Sequence, residues 1–335
     1  MIKVSVVMPV YNEKGYIKQC IESLLQQDYP LQNMEWIFVD GGSTDCTKSI
    51  INKYSECYPT LIKILDNPRK IVPCAMNIGI AETRGEYVIR LDAHADYPKD
   101  YISRCVYWLE KTDACNVGGI AQTKAKGRIG NAIAKMLSSK FGVGNSQFRI
   151  HGRSGYVDTV PFGAFRRAVF RTIGGYDERL VRNQDNELNY RIRKMGGKIY
   201  LSSDICFSYY CRDNLTGIVE MSYKNGMWNV VTMYLCPGSM GLRHFVPFMF
   251  VMSIIALCIL SYVSHFFITF LVLELATYFL ISIITAAKLG KNLCEILLLI
   301  LLFPMFHISY GVGSIFGLCN LLKKKYRVNY KPKLI

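Results

Sequence analysis

Charge is what the last quarter of this 335-residue sequence lacks. Residues 245–322 carry only four charged side chains, Glu274, Lys288, Lys291 and Glu295, among long apolar runs. Such a composition excludes an ordinary water-facing surface and matches hydrocarbon instead. Residues 1–243 alternate apolar and polar positions as a globular domain does. The hydrophobic fraction of 51% therefore averages two regions facing different solvents. The twelve cysteines are scattered with no C-x-x-C spacing, Cys206 and Cys211 being the nearest pair. Neither a zinc site nor a disulfide framework is suggested, and buried thiols in a reducing compartment are expected. The opening MIKVSVVMPVYNE lacks the charged start, apolar stretch and cleavage site of a signal peptide, so the globular half is expected in the cytoplasm.

Acidic residues are also scarce, 25 against 40 Lys and Arg, for a formal charge of +15. The imbalance points to an anionic partner: nucleotide, phospholipid or nucleic acid. Residues 321–335, LLKKKYRVNYKPKLI, hold six basic residues and no acid. Directly beyond an apolar segment, they read as an anchor to anionic membrane lipids. Nucleic acid is the weaker reading, because the globular half shows no basic stripe interleaved with aromatics and no zinc-finger or RNA-binding signature.

Strand and helix signals alternate through the first half. Strands are expected at 4–11, 36–40, 61–67 and 86–92, with helices at 15–27, after Ser43 or Thr44 as cap, and at 73–85. Such alternation implies an α/β fold with a mostly parallel sheet, whose ligand crevice lies at the carboxyl ends of the strands. Tyr11–Glu13, Asp40–Ser43 and Asp92–Asp96 all fall at such ends. Further elements are expected at 116–121 (strand), 130–140 (helix), 183–197 (helix) and 198–204 (strand). Residues 215–236 suit an interfacial helix or a core helix equally.

Within VIRLDAHADYP, residues 88–98, Asp92, His94 and Asp96 occupy every second position. In an extended chain these share one face, which makes them a candidate metal site. Asp96 also suits a cap on the following turn. NQDNEL, residues 183–188, offers Asp185 and Glu187 as candidate acid–base groups, or as acids at the positive end of a helix. Asp40 reads as a ligand-contacting acid or a helix cap, and Tyr11 as a stacking or packing residue.

VVMPVYNE, FVDGGSTD, LDAH, GGYDE and NQDNEL, in this order over about residues 3–215, resemble family 2 glycosyltransferases. Among these, the DAH form and the apolar tail are most similar to bacterial exopolysaccharide enzymes of the succinoglycan type. The resemblance implies a GT-A fold with a Rossmann-like, mostly parallel sheet, followed by a helical transmembrane region. It implies inverting transfer of a hexose from a nucleotide-diphosphate sugar, expected to be UDP-linked, to a saccharide or polyprenyl-diphosphate-linked acceptor. Donor contacts are expected from Pro9, Tyr11, Asn12, Glu13, Asp40, Ser43, Arg69, Asn77, Asp92 and Arg212. A divalent Mn2+ or Mg2+ is expected at Asp92, His94 and Asp96, with His94 standing where relatives usually have a carboxylate. Asp185 maps onto the family's base and Glu187 onto its neighbouring acid, while Gln184 replaces a preceding acid.

A nucleotidyltransferase would need a Gly-rich, lysine-containing loop after the first strand, for which VYNEKGYIK is a poor substitute. A processive synthase would carry Q-x-x-R-W where this chain has NYRIRKM. The rival from another class is a non-catalytic nucleotide-binding membrane subunit of a polysaccharide assembly. Four divisions are expected: a catalytic domain over 1–215, an interfacial helix or linker over 216–243, membrane helices over 244–322, and a basic tail over 323–335. Segments 245–263 and 266–287 are expected to cross a cell membrane, giving a multi-pass protein of the inner or plasma membrane. The third, 296–322, interrupted by Pro304, is expected to be re-entrant or interfacial.

Overall fold

Strands and helices alternate from the start: β1 (Val4–Val10), α1 (Ile17–Leu25), β2 (Met34–Asp40), α2 (Thr47–Cys57), β3 (Ile62–Asp66), α3 (Val72–Ala81) and β4 (Tyr87–Arg90). Then come β5 (Ala95–Asp96), α4 (Tyr101–Lys111), β6 (Ala114–Lys124), α5 (Gly127–Leu137), α6 (Lys140–Val143), β7 (Gly155–Tyr156), β8 (Ala164–Arg166), α7 (Ala168–Ile173), α8 (Gln184–Lys194) and β9 (Lys198–Tyr210). The chain ends in four long helices: α9 (Leu215–Leu235), α10 (Val246–Ser261), α11 (Phe266–Leu289) and α12 (Leu293–Lys323). This computed structural model describes residues 1–150, 152–323 and 332–335. The chain forms two compact units, one of Met1–Gln122, His151–Tyr210 and Asn329–Ile335, the other of Thr123–Ile150 and Cys211–Val328.

The first unit is built on a sheet of order β3-β2-β1-β4-β8-β6-β9-β5, with β7 paired to β9. β3, β2, β1 and β4 run parallel. β8 then runs antiparallel to both β4 and β6, so the expected mostly parallel sheet is parallel in one half and mixed in the other. Every residue of β2 is buried, as befits a strand covered on both faces. α1 buries Ile17, Cys20, Ile21 and Leu24, the stripe of a helix lying on a sheet. The parallel register pairs Val10 with Asp40 and Val7 with Arg90, bringing the ends of β1, β2 and β4 to one edge.

Several local expectations change. α2 starts at Thr47 with no side-chain cap from Ser43 or Thr44. Asp45 takes that place, its Oδ1 accepting from the Thr47 amide at 2.9 Å. β9 extends to Tyr210 because β5 pairs with its end, Ala95 opposite Tyr209. The last described residues, Pro332–Ile335, lie against α7 and the glycine pair beyond it, the Gly175 amide donating to the Lys333 carbonyl at 2.9 Å. Lys324, Lys325, Arg327 and Lys331, on which most of the expected lipid anchor rests, lie outside the described residues.

Residues 123–150, expected within the catalytic domain, belong to the second unit. The reason is packing: Ala132, Ile133, Met136 and Leu137 of α5 join Leu299, Leu302 and Phe303 of α12 in one buried cluster. α9 is a packed helix, burying Ile218, Ser222, Gly226, Asn229 and Val230. Its crossing with α12 is close enough to require glycine. A Cβ on Gly226 would sit 1.9 Å from the Tyr310 carbonyl oxygen, and one on Gly313 2.1 Å from that of Tyr223. Backbones approach this closely in apolar helix pairs where small residues line the seam.

The membrane expectation is redistributed. α10 has 16 residues, a rise of about 24 Å, short of the ~30 Å of hydrocarbon. α11 and α12, of 24 and 31 residues, are long and apolar enough to cross. α12 continues through Pro304, so the third segment is neither broken nor short. Proline removes one ladder bond, and the buried Phe303, Phe306 and His307 hold the turn around it. Two polar pairs lie within these helices: the Tyr278 hydroxyl is 2.9 Å from His307 Nδ1, and Ser253 Oγ donates to Glu274 at 2.5 Å. Replacing Gly226 with leucine is expected to destabilise the second unit by at least about 1–3 kcal/mol, seen as a lower unfolding temperature in detergent.

Candidate active site

Three loops meet at the edge where β1, β2 and β4 end, and side-chain bonds lace the first two together. Asn12, at φ 55°, accepts the Thr44 amide on its Oδ1 at 2.8 Å and donates its own amide to Ser43 Oγ at 2.9 Å. The Glu13 amide donates to Thr47 Oγ1 at 2.7 Å. Pro9 is the one partly exposed residue of β1, and Tyr11, just beyond its last residue Val10, is half exposed. Asp40 is buried, accepting Ser43 Oγ at 2.6 Å and the Gly42 and Ser43 amides. It shapes its own loop, and Ser43 pins that loop to the β1 loop.

Asp92, His94 and Asp96 alternate with buried residues but do not close into one ligand cluster. β4 stops at Arg90, residues 93–94 turn, and the strand pairing resumes at β5. Burial still alternates here, with Leu91, Ala93, Ala95 and Tyr97 buried and Asp92, His94 and Asp96 partly exposed between them. Among the described residues these three do not bring ligand atoms within 4.8 Å of one another. Asp96 is held by the protein, its Oδ1 accepting Gln19 Nε2 at 2.8 Å and its Oδ2 the Tyr210 hydroxyl at 2.7 Å. It neither caps the turn nor joins the other two. The Tyr97 hydroxyl clamps Asp92 by its backbone, accepting its amide at 2.8 Å and donating to its carbonyl at 3.1 Å. His94 Nδ1 lies 3.0 Å from Glu13 Oε1, with the Tyr209 ring centroid 5.8 Å from its own.

Asp185 is brought to Asp92 by a residue the motifs did not single out. Arg90, 4% exposed, donates from Nη1 to Asp185 Oδ1 at 2.5 Å. Its Nε and Nη2 reach Asp92 Oδ1 at 3.4 and 3.3 Å. Burial raises the Asp185 carboxyl above the ordinary aspartate range; Arg90 opposes the rise and the charge of Asp92 adds to it. The Tyr176 ring is wholly buried, and burial pushes its hydroxyl up. A lone arginine at the end of the apolar run YVIR was the available signal, since a buried cation requires partners.

Other expected donor residues serve the frame. Asn77 holds the glycine turn, donating to the Tyr176 carbonyl and Glu178 Oε1 at 2.9 Å each and accepting the Tyr176 amide at 2.6 Å. Arg69 is ion-paired with Glu178. Glu187, expected beside the base, is buried and grips Arg191 with both oxygens at 2.5 and 2.8 Å. Arg191 in turn donates to the Ile173 and Gly175 carbonyls at 2.6 and 2.7 Å. Glu187 thus ties α8 to the glycine turn. Arg212 is exposed and belongs to the second unit. Glu187→Gln strands a mostly buried guanidinium, so a loss of about 3–5 kcal/mol is expected, measurable by thermal unfolding.

With this geometry in view, the comparisons are specific. The description Glycosyl transferase family 2 matches residues 5–174. The succinoglycan biosynthesis protein ExoA of Rhizobium meliloti is 32% identical over 244 residues, covering 72% of this chain and 73% of that protein. A dolichyl N-acetyl-alpha-D-glucosaminyl phosphate diacetamido-dideoxy-glucuronosyltransferase of Methanococcus voltae is 29% identical over 230 residues, covering 67% and 71%. Among solved structures, a mannosyltransferase from Pyrobaculum calidifontis in complex with GDP-Man and Mn2+ aligns with a TM-score of 0.61 at 18% identity, covering 95% of this chain and 87% of that one. Its likeness shows the fold, which is GT-A. By the family description and the matching relative together, this chain belongs to glycosyl transferase family 2.

Proposed function

We propose that the chain is an inverting hexosyltransferase that moves a sugar from a nucleotide diphosphate, UDP-linked by our reading, to a lipid-linked or growing saccharide in cell-surface polysaccharide synthesis. Its catalytic unit would work at the cytoplasmic face of a cell membrane, tethered through α11 and α12. The observation that carries the reading is the meeting of Asp185 with Asp92 through Arg90 at the strand ends. A base and a donor-side carboxylate must share one site for transfer.

In this reading Asp185 accepts the proton of an acceptor hydroxyl as that oxygen bonds to the anomeric carbon. The bond to the diphosphate breaks on the opposite face, inverting the configuration. Tyr11 and Asn12 line the donor side with Asp92, while Glu187 and Asn77 keep the glycine turn and α8 in place. A divalent ion, when bound, supplies positive charge against the departing diphosphate. The donor set suits one. Metal-bound histidines commonly give their other ring nitrogen to a carboxylate, and His94 Nδ1 faces Glu13 in that manner. Nε2 would then meet the ion, together with Asp92, and a mixed imidazole–carboxylate pair suits Mn2+ better than Mg2+.

Asp185→Asn is expected to lower kcat by about 10²–10⁴-fold while UDP or GDP binding with Mn2+ stays intact; wild-type turnover would remove Asp185 from the mechanism. Glu13→Gln is expected to weaken Mn2+ binding by about 10–100-fold, read by electron paramagnetic resonance of the free ion. Because burial raises the Asp185 carboxyl, it protonates at higher pH than an ordinary aspartate. The acid limb of kcat is therefore expected above the usual aspartate range, and a limb at or below that range would contradict the assignment.

A further inference from the structure

The guanidinium of Arg90 lies inside the protein between two carboxylates that come from distant parts of the chain. Its attachment is rigid: it ends β4, opposite Val7 of β1, and its amide donates to the Gly163 carbonyl at 3.1 Å. The contacts are unequal. Nη1 meets Asp185 at 2.5 Å, whereas Nε and Nη2 share one oxygen of Asp92 at 3.4 and 3.3 Å. The Phe162 ring covers the cation, its centroid 5.3 Å from Cζ, and Phe162 takes a φ of 46° in doing so. A bulky residue in the left-handed region stores strain. The fold accepts that strain where an aromatic face meets a buried cation.

We propose that Arg90 is a positioning residue for transfer: it holds the Asp185 carboxylate ionised and aimed, at a distance from Asp92 set by the planar width of one guanidinium. This rests on the reading of Asp185 as the base. Two carboxylates largely removed from water repel, and one buried cation between them offsets both. Lysine would supply the charge but not the fork, because an ammonium is a point donor on a flexible stem. The short bond is to Asp185 and the long ones to Asp92, so the loss should fall mainly on the chemical step.

The test compares Arg90→Met and Arg90→Lys with the wild-type full-length chain in detergent. Nucleotide release is measured from a panel of UDP- and GDP-sugars with a lipid-diphosphate saccharide extract as acceptor. Arg90→Met is expected to lower kcat by about 10²-fold or more, with the KM for the nucleotide sugar changed by less than about threefold. Arg90→Lys is expected to recover part of that loss. A second readout covers a poorly folding variant: Arg90→Met with Asp185→Asn should unfold at a higher temperature than Arg90→Met alone, because one of two facing charges is gone. Unchanged kcat in both single variants, or equal changes in kcat and KM, would overturn the proposal; so would a double variant that is no more stable than Arg90→Met. Asp185→Asn separates the two readings. Retained turnover there sinks the base itself, whereas its loss beside an active Arg90→Met sinks only the positioning role.

Discussion

A guanidinium removed from water must be neutralised where it sits, and that constraint organises the first unit. Arg90 closes β4, and the strand register fixes where its side chain ends. Asp92 follows two residues later, but Asp185 must be delivered by α8. Delivery depends on a chain of buried bonds. Asn183 starts α8 in the left-handed conformation at φ 63°, and Glu187 with Arg191 ties the helix to the glycine turn. On the opposite flank, Asn116, Asn189 and Thr159 form a hydrogen-bonded row with distances of 2.7 and 2.8 Å. Bonds between buried amides favour one geometry, since each broken bond would leave a polar group without water.

Backbone strain gathers at the same edge. The non-glycine residues at positive φ among those described are Asn12, Lys70, Phe162 and Asn183. Asn12 joins the β1 and β2 loops, Phe162 covers Arg90, and Asn183 opens the helix that carries Asp185. Such conformations persist only where surrounding bonds over-determine them. Their placement on the loops rather than in the sheet leaves the parallel core regular while the edge is shaped for chemistry.

The second unit holds two helices, α11 and α12, that are long and apolar enough to cross a membrane. In an apolar medium the hydrophobic effect does not hold helices together, so close packing and internal hydrogen bonds must. Gly226 and Gly313 let α9 and α12 touch backbone to backbone, and Ser222 donates to the Phe306 carbonyl. Lys135 of α5 pairs with Glu295 at 2.7 Å and donates to the Leu289 carbonyl at 2.9 Å, which fastens the amphipathic α5 where α11 gives way to α12.

The order of strands and helices, the three strand-end loops and the apolar tail were legible in the sequence, because periodicity and punctuation are local properties. Membership of the family was legible for the same reason: its motifs are short and sit at the ends of elements. Roles within the motifs were not. Asp96 and Glu187 resemble site carboxylates in one dimension and are consumed by Gln19, Tyr210 and Arg191 in three. Arg90 was not singled out by any motif, and its partner Asp185 comes from α8, far along the chain. Residues 123–150 looked like part of the sheet domain until their apolar face met α12. Pairing between distant residues depends on how the chain closes on itself, and only the folded backbone decides which charge meets which.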